Sequence, residues 1–224
     1  MKQKLIVFLS RYSYPQKDFA KAIINFIKLN IKPNLLVDTP CGNGETTHIF
    51  AKKLDCKIIG ADICETSINN AKKKYSNKIN FYTKDINTII NEVKNIDAFC
   101  LINSIFLLPE PLQILQNIKK SLSPNGILYI IIPNIKSINY KNFIAKNPLV
   151  NNLQLNDIEF INYVQNIGYT LRATKKLCFA NVFGRNELKL FSVFSVFYLR
   201  LLSFLFKTFS NKQPSYFLFI FSKN

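Results

Sequence analysis

Short apolar runs alternate along the chain with segments in which apolar residues recur at helical spacing. Apolar runs of this kind are typical of buried parallel strands, and they occur at Leu35–Val37, Lys57–Asp62, Ile79–Thr83, Asp97–Asn103 and Ile127–Ile132. The helical segments are Gln16–Asn30, Gly44–Leu54, Glu65–Tyr75, Pro111–Leu122 and about Asn156–Asn166. This alternation predicts an α/β fold whose parallel sheet is covered by helices on both faces.

Residues that start or stop regular structure support these boundaries. Pro111 suits the first position of a helix, and Asn156 is a good N-cap, with Gly168 placed just past the end of the same helix. The Pro124–Gly126 segment predicts a turn ahead of the most apolar strand.

The loop after the first predicted strand is the first place to expect a ligand, because ligands of such sheets bind beyond the carboxyl ends of the strands. It runs from Asp38 to Gly44 and opens directly into a helix. Gly42 and Gly44 allow a tight turn and a close approach of the backbone to a ligand. Asp62 ends the second strand, 18 residues beyond Gly44, where an acid can accept hydrogen bonds from ribose hydroxyls.

The details of this loop argue against a dinucleotide. A dinucleotide fingerprint requires a third glycine at the position that Thr47 holds, and the loop lacks the lysine of a phosphate-binding loop. The Asp38 carboxylate suits a cationic ligand better than a pyrophosphate. We therefore expect a nucleoside that carries a positive centre; the alternative is a purely structural turn beside surface acids.

These segments resemble the motifs of class I S-adenosylmethionine-dependent methyltransferases. Asp38–Gly44 resembles their D-x-(G/P)-x-G-x-G loop, with Pro40 where many members have glycine, and Ile59–Ile63 resembles their ribose-binding strand end. Phe81–Ile86 is similar to the third motif, whose acid meets the adenine amino group. Asp97–Asn103 and Ile118–Pro133 are similar to the region of the fourth and fifth strands. The resemblance covers about residues 10–180.

The resemblance implies a doubly wound, mostly parallel seven-stranded sheet with an antiparallel last strand, which we place at Ser215–Ser222. It implies S-adenosyl-L-methionine as the cofactor. The residues that it places at the cofactor are Asp38, Pro40, Cys41, Gly42, Gly44, Asp62, Ile63, Asp85, Ile86 and Asn103. No metal is expected, since no His, Cys and Asp residues cluster at ligand spacing.

Methyl transfer from a sulfonium donor is an in-line displacement, in which the protein mainly positions two reactants. The one histidine, His48, lies in the helix after the glycine loop, where we expect a packed or surface residue rather than a base. The remaining catalytic candidates are Tyr12, Tyr14 and Asn103. The segment around the two tyrosines resembles a lead-in that folds over the donor in some members; an ordinary N-terminal strap is the alternative.

The segment Phe191–Phe209 is unusually apolar, with 13 apolar residues among 19. A membrane span is disfavoured by Arg200 near its centre. It is a core or substrate-lid helix, an interfacial helix that gives a peripheral membrane contact, or a dimer contact; the oligomeric state is left open. We expect a single methyltransferase domain over residues 1–224, with an N-terminal strap and helix (1–30), a donor-binding core (34–133) and an acceptor-side half (134–224) that contains an apolar helical insertion at about 186–210.

Composition changes this interpretation little. The net charge is +17, but the lysines are scattered rather than grouped in a nucleic-acid-binding block, and an A+T-rich coding sequence explains them. Attraction to a membrane surface or a polyanion is the alternative. The five cysteines form no C-x-x-C pair, which fits a reduced, cytoplasmic setting.

The acceptor is the least determined part of the prediction. We expect a small-molecule or lipidic acceptor. A methyltransferase of nucleic acid or protein is the second hypothesis, although the fourth strand is followed by Asn103-Ser104-Ile105-Phe106 and not by an N-P-P-[YF] tetrapeptide. The third is a non-catalytic member of the fold that serves as a binding module.

Overall fold

The computed structural model describes residues 16–75, 79–136, 155–177, 214 and 216–223. Within these ranges seven strands alternate with six α-helices and one short 3₁₀ helix. The strands are β1 (Leu35–Asp38), β2 (Lys57–Asp62), β3 (Asn80–Thr83), β4 (Ile96–Ile102), β5 (Leu122–Pro133), β6 (Tyr169–Leu177) and β7 (Tyr216–Lys223). The helices are α1 (Gln16–Asn30), α2 (Glu45–Lys53), α3 (Glu65–Tyr75), α4 (Ile86–Glu92), α5 (Pro111–Ser121) and α6 (Asp157–Gln165), with the 3₁₀ helix at Ile105–Leu107.

The strands form one sheet in the order β3-β2-β1-β4-β5-β7-β6. All neighbours pair in parallel except β7, which lies antiparallel between β5 and β6. The predicted doubly wound, seven-stranded sheet with an antiparallel last strand is confirmed. Asp38 pairs with Gly60 on β2 and Cys100 on β4, so the carboxyl ends of three central strands meet at one edge.

Helices cover both faces of the sheet, as predicted. On one face, α1, α2 and α3 enclose a core that includes Ile23, Phe50 and Ile68. On the other face, α4, α5 and α6 enclose a core that includes Ile89 and Phe160. Alternate residues of the short central strands reach opposite cores, which explains why these strands are apolar throughout. Within the described ranges, no helix is both long and apolar enough to cross a bilayer.

Side-chain caps fix two helix starts. Asn156 accepts from the amides of Ile158 and Glu159, and the Glu159 side chain accepts in return from the Asn156 amide, so the predicted cap is a full capping box. The helix α4 was not predicted from the sequence. Its N-cap is Asp85, whose side chain accepts from the amides at positions 87 and 88.

The segment Pro124–Gly126, predicted as a turn before the fifth strand, lies inside β5 instead. The register with β4 shifts there, from Ile96 opposite Leu122 to Ala98 opposite Ile127, so the extra residues form a bulge. Gly126 is required at this point, because an added Cβ would lie 2.6 Å from the Ile96 carbonyl oxygen.

Several predicted features lie outside the described residues. They are the catalytic candidates Tyr12 and Tyr14 and the apolar insertion at about 186–210 with its segment 191–209.

Candidate functional site

The loop between β1 and α2 lies across the end of β2. The Cys41 amide donates to the Ala61 carbonyl oxygen at 2.8 Å, and the Gly44 amide donates back to the Cys41 carbonyl oxygen at 3.0 Å. The peptide bond between Thr39 and Pro40 is cis. The two hydrogen bonds hold the chain in a tight turn directly before α2. The predicted loop, the start of the helix and the end of the second strand therefore form one site.

The Asp62 carboxylate connects this loop to the end of β2. Its Oδ2 accepts from the Gly42 amide at 2.8 Å, and its Oδ1 accepts from the Cys64 amide at 2.9 Å. An ionised carboxylate has about four lone-pair positions, so each oxygen retains capacity for one more donor. Two adjacent hydroxyls, as on a ribose, match this remaining capacity.

The two glycines of the loop have different roles. An added Cβ at Gly42 would meet nothing within 4 Å, and its φ of +53° lies in the left-handed region, which leaves open space for a ligand. An added Cβ at Gly44 would lie 2.7 Å from the Phe81 ring. Gly44 therefore serves internal packing, whereas the space beside Gly42 is open; the placement of both glycines at the cofactor stays a prediction.

Thr47 packs against Gly60 and donates a hydrogen bond to Asp38. Its position in the glycine loop motif predicted neither contact. An added Cβ on Gly60 would lie 3.1 Å from the Thr47 methyl carbon, so α2 packs closely on β2 because β2 has a glycine at this point. In a dinucleotide site the same close packing comes from a glycine on the helix. The Thr47 hydroxyl donates to Asp38 Oδ2 at 2.6 Å. The glycine inside an apolar strand was the available signal for this close approach.

The Asp38 carboxyl is 1% exposed. Burial raises its pKa to about 7; the Thr47 hydrogen bond lowers that pKa and the nearby Asp62 charge raises it. The ion pairs among the described residues join Lys74 to Glu45 and Lys84 to Glu92, and neither includes Asp38. A buried acid without a protein cation favours a positively charged ligand.

Unpartnered buried polar atoms cluster at the ends of β1 and β4. Thr39 Oγ1, Asn103 Oδ1 and Ser104 Oγ are buried and have no hydrogen-bond partner within the described part of the chain. The two strand ends adjoin, since the Thr39 amide donates to the Cys100 carbonyl oxygen at 3.3 Å. A buried polar group left unpaired costs about 1–3 kcal/mol, so these atoms are suited to pairing with a ligand. Asn103 was predicted here, whereas Thr39 and Ser104 were not.

The remaining predicted cofactor residues occupy different environments. The Ile63 side chain is 75% exposed at the end of β2. Asp85 is committed to the cap of α4, and its hydrogen bonds to Thr88 hold its pKa below the usual value. The Ile86 side chain packs in the core, which leaves its backbone available to a ligand. Burial raises the pKa of the Cys41 thiol, so this thiol stays protonated.

His48 does not lie among these groups. Its ring stacks on Tyr75 with centroids 4.1 Å apart. Partial burial and the Lys52 and Lys74 charges lower its pKa. The structure thus places the histidine on a packed helix surface, as the sequence predicted.

Comparison with known proteins identifies the family. Residues 34–177 match the methyltransferase domain family, while no curated protein sequence matches the chain. Among solved structures, the chain is similar to the plantazolicin methyltransferase BamL, with a TM-score of 0.68 and 16% identity over 100% of this chain and 91% of that one. It is also similar to an S-adenosylmethionine-dependent methyltransferase from Archaeoglobus fulgidus (0.65, 15%, 97% and 98%).

A third similar structure is the magnesium protoporphyrin IX methyltransferase of Synechocystis PCC 6803, with a TM-score of 0.59 and 12% identity over 93% of this chain and 79% of that one. At these identities the similarity establishes the shared fold. The family match covers well over half of the chain. The chain therefore belongs to the methyltransferase domain family, as an S-adenosylmethionine-dependent enzyme of class I.

Proposed function

We propose that this methyltransferase transfers a methyl group to a small, largely apolar acceptor bound beside the ends of β4 and β5. The observation that carries this proposal is a small pocket at that edge of the sheet. The side chains that line it are all apolar and belong to Ile105, Phe106, Ile132, Pro133, Ile135, Leu155 and Phe160. A charged acceptor would lose hydration on entering such a pocket without gaining hydrogen bonds.

Apolar side chains also lie exposed on elements next to the pocket. Leu107 follows the pocket residues of the 3₁₀ helix, Leu112 is the second residue of α5, and Ile158 is the second residue of α6. They are 51%, 47% and 66% exposed. Exposed apolar surface beside a pocket is common where apolar ligands bind. Two proteins of the same fold act on plantazolicin and magnesium protoporphyrin IX, which supports an acceptor other than nucleic acid.

The strand-end residues fit S-adenosylmethionine as the donor. Asp62 has capacity for two further donors, which suits the ribose hydroxyls. The Asp38 carboxyl accepts a hydrogen bond from Thr47 but takes part in no ion pair among the described residues, which suits a cationic methionyl group. S-adenosylmethionine supplies a methyl group that is already activated on a sulfonium centre. The contribution of the chain is to bind and orient the two reactants and to exclude water, which supplies roughly 7–11 kcal/mol in favourable cases.

Proton removal is a minor part of this mechanism. The His48 ring stacks on Tyr75, and burial raises the pKa of the Cys41 thiol, so neither group is suited to act as a base. Asn103 Oδ1, buried and unpartnered, accepts a hydrogen bond from the acceptor without taking its proton. We therefore expect acceptors whose own acidity is sufficient for attack.

The test follows the fate of a labelled methyl group. The protein is incubated with methyl-labelled S-adenosylmethionine in separate reactions, each of which contains one class of acceptor: apolar small molecules, nucleic acid, protein or lipid vesicles. We expect label in the small-molecule fraction. Label in nucleic acid or protein alone would contradict the proposal.

A pair of variants ties the acceptor to the pocket. Ile135→Gln places an amide in the lining, which should lower kcat/KM for the acceptor about tenfold and leave donor affinity unchanged. Leu29→Gln is the matched control, because Leu29 is 84% exposed on α1 and does not line the pocket. Equal acceptor kinetics in the two variants would exclude this pocket as the acceptor site.

A further inference from the structure

The pair formed by Asp38 and Thr47 joins the end of β1 to α2. The Thr47 hydroxyl donates to Asp38 Oδ2 at 2.6 Å. Asp38 is 1% exposed and Thr47 is fully buried. A hydrogen bond to an ionised carboxylate is stronger than one between neutral groups, and the absence of competing water strengthens it further.

The Thr47 side chain is held on its other side as well. Its methyl carbon lies against the backbone of Gly60, where an added Cβ would come within 3.1 Å. A β-branched side chain in a helix has few permitted rotamers. With its methyl group fixed over the glycine of β2, the hydroxyl is directed at the carboxyl of Asp38.

The surroundings of Asp38 otherwise disfavour its charge. Among the residues that the structure describes, the titratable groups that face it are Asp62 on β2, the Cys41 thiol on the loop and the Cys100 thiol on β4. None of these groups is a cation. Burial raises the pKa of Asp38 to about 7, and the bond from Thr47 is the interaction that lowers it. At neutral pH the carboxyl is therefore balanced between its ionised and neutral forms.

We propose that Thr47 is a positioning residue for donor binding, because its hydroxyl orients the Asp38 carboxyl and favours the ionised form that a cationic donor needs. This inference rests on the proposed donor site. Ionised Asp38 attracts a positively charged methionyl group, whereas the protonated form does not. Donor affinity therefore rises as pH increases through about 7, and loss of the Thr47 hydroxyl moves that rise to higher pH.

The test is the pH dependence of S-adenosylmethionine binding, measured by calorimetry on the full chain and on its variants. Thr47→Val keeps the shape and removes the hydroxyl. A charge-assisted hydrogen bond is worth about a factor of ten or more in an ionisation equilibrium, so the midpoint should rise by about one pH unit. Relative to the wild type at the same pH, the affinity should be about fivefold lower at pH 7 and nearly equal at pH 9.

Two further variants separate the electrostatic role from a packing role. Thr47→Ser keeps the hydroxyl but lacks the methyl group that directs it, so its midpoint should lie between those of the wild type and Thr47→Val. Asp38→Asn removes the titration and should give weak binding that does not change with pH. A Thr47→Val variant that loses affinity equally at every pH, or that keeps the wild-type profile, overturns the inference.

A second readout does not depend on the donor. The ¹³C-carboxyl resonance of Asp38 in the free protein reports its pKa directly, and that pKa should be about one unit higher in Thr47→Val than in the wild type. Wild-type protein that binds no S-adenosylmethionine at any pH contradicts the donor site. An unchanged Asp38 resonance profile contradicts the role of Thr47 alone.

Discussion

Replacing Asp38 by asparagine should stabilise the free protein at neutral and alkaline pH while it weakens donor binding. Asparagine has nearly the shape of aspartic acid and cannot ionise. The buried carboxyl has a pKa of about 7 in the folded chain, whereas the ordinary pKa of a solvated aspartic acid is 3.8. Because the folded pKa is raised, the stabilising contribution of the neutral form is complete below pH 3.8 and is lost as pH rises through about 7.

The magnitude follows from this difference. A shift from 3.8 to about 7 is about 3 pH units, and each unit corresponds to about 1.4 kcal/mol. The free energy of unfolding of Asp38→Asn should therefore exceed that of the wild type by about 4 kcal/mol at pH 8, relative to their difference at pH 4. For a chain of this length, the gain corresponds to roughly 8–16 °C in Tm.

The assay is thermal or urea unfolding of both proteins between pH 4 and pH 8 without ligand. At pH 4 residue 38 is uncharged in both folded proteins, so the difference measured there serves as the reference. Parallel pH dependence of the two unfolding free energies would refute the reasoning, because it would mean that Asp38 does not ionise in a buried site. Greater stability together with weaker donor binding is the trade-off expected of a strained functional site.

Four other substitutions test the packing of the glycine loop, the cap of α4 and the role of the histidine. Gly44→Ala should lower the free energy of unfolding by about 2–4 kcal/mol, because its Cβ would lie 2.7 Å from the Phe81 ring and its φ is positive. Gly42→Ala should lower it by only about 1–2 kcal/mol, because the space around Gly42 is open and only the positive φ is unfavourable. Equal losses in urea unfolding of the two variants would contradict the packing role of Gly44. Asp85→Ala should lower the free energy of unfolding by about 1 kcal/mol, because α4 loses its N-cap. Unchanged stability would exclude a stabilising role for this cap. Titration of the same variant with adenosine tests the predicted contact between Asp85 and adenine. His48→Gln should keep the methyl-transfer rate within about twofold, since the ring stacks on Tyr75; a large rate loss between pH 6 and pH 8 would instead make it a base.

The sequence predicted those features that depend only on residues close together along the chain. The apolar run at Lys57–Asp62 and the helical spacing at Gln16–Asn30 coincide with β2 and α1, because burial patterns are local in sequence. The strand-end position of Asp62 followed from the chain order of strands and helices. The cap at Asn156 was found because capping depends on residues that are neighbours in sequence.

Features that depend on contacts between distant segments were not predicted. Asp85 was assigned a ligand role alone, so the short helix α4 that it caps was missed. The bulge in β5 arises from its register with β4, which spacing along one strand does not contain. The hydrogen bond between Thr47 and Asp38 depends on the close packing of α2 on Gly60. In the sequence, Thr47 was informative only because a dinucleotide-binding loop would have a glycine at this position.

Binding of S-adenosylmethionine by the wild type and by Asp62→Ala, measured by calorimetry at pH 8, tests the donor site most directly. The wild type should bind one molecule per chain. Asp62→Ala should bind at least tenfold more weakly, because it loses the ribose contacts and the bonds to the Gly42 and Cys64 amides. Circular dichroism of the variant should match that of the wild type. No binding by the wild type, or equal affinity in the folded variant, would contradict the account.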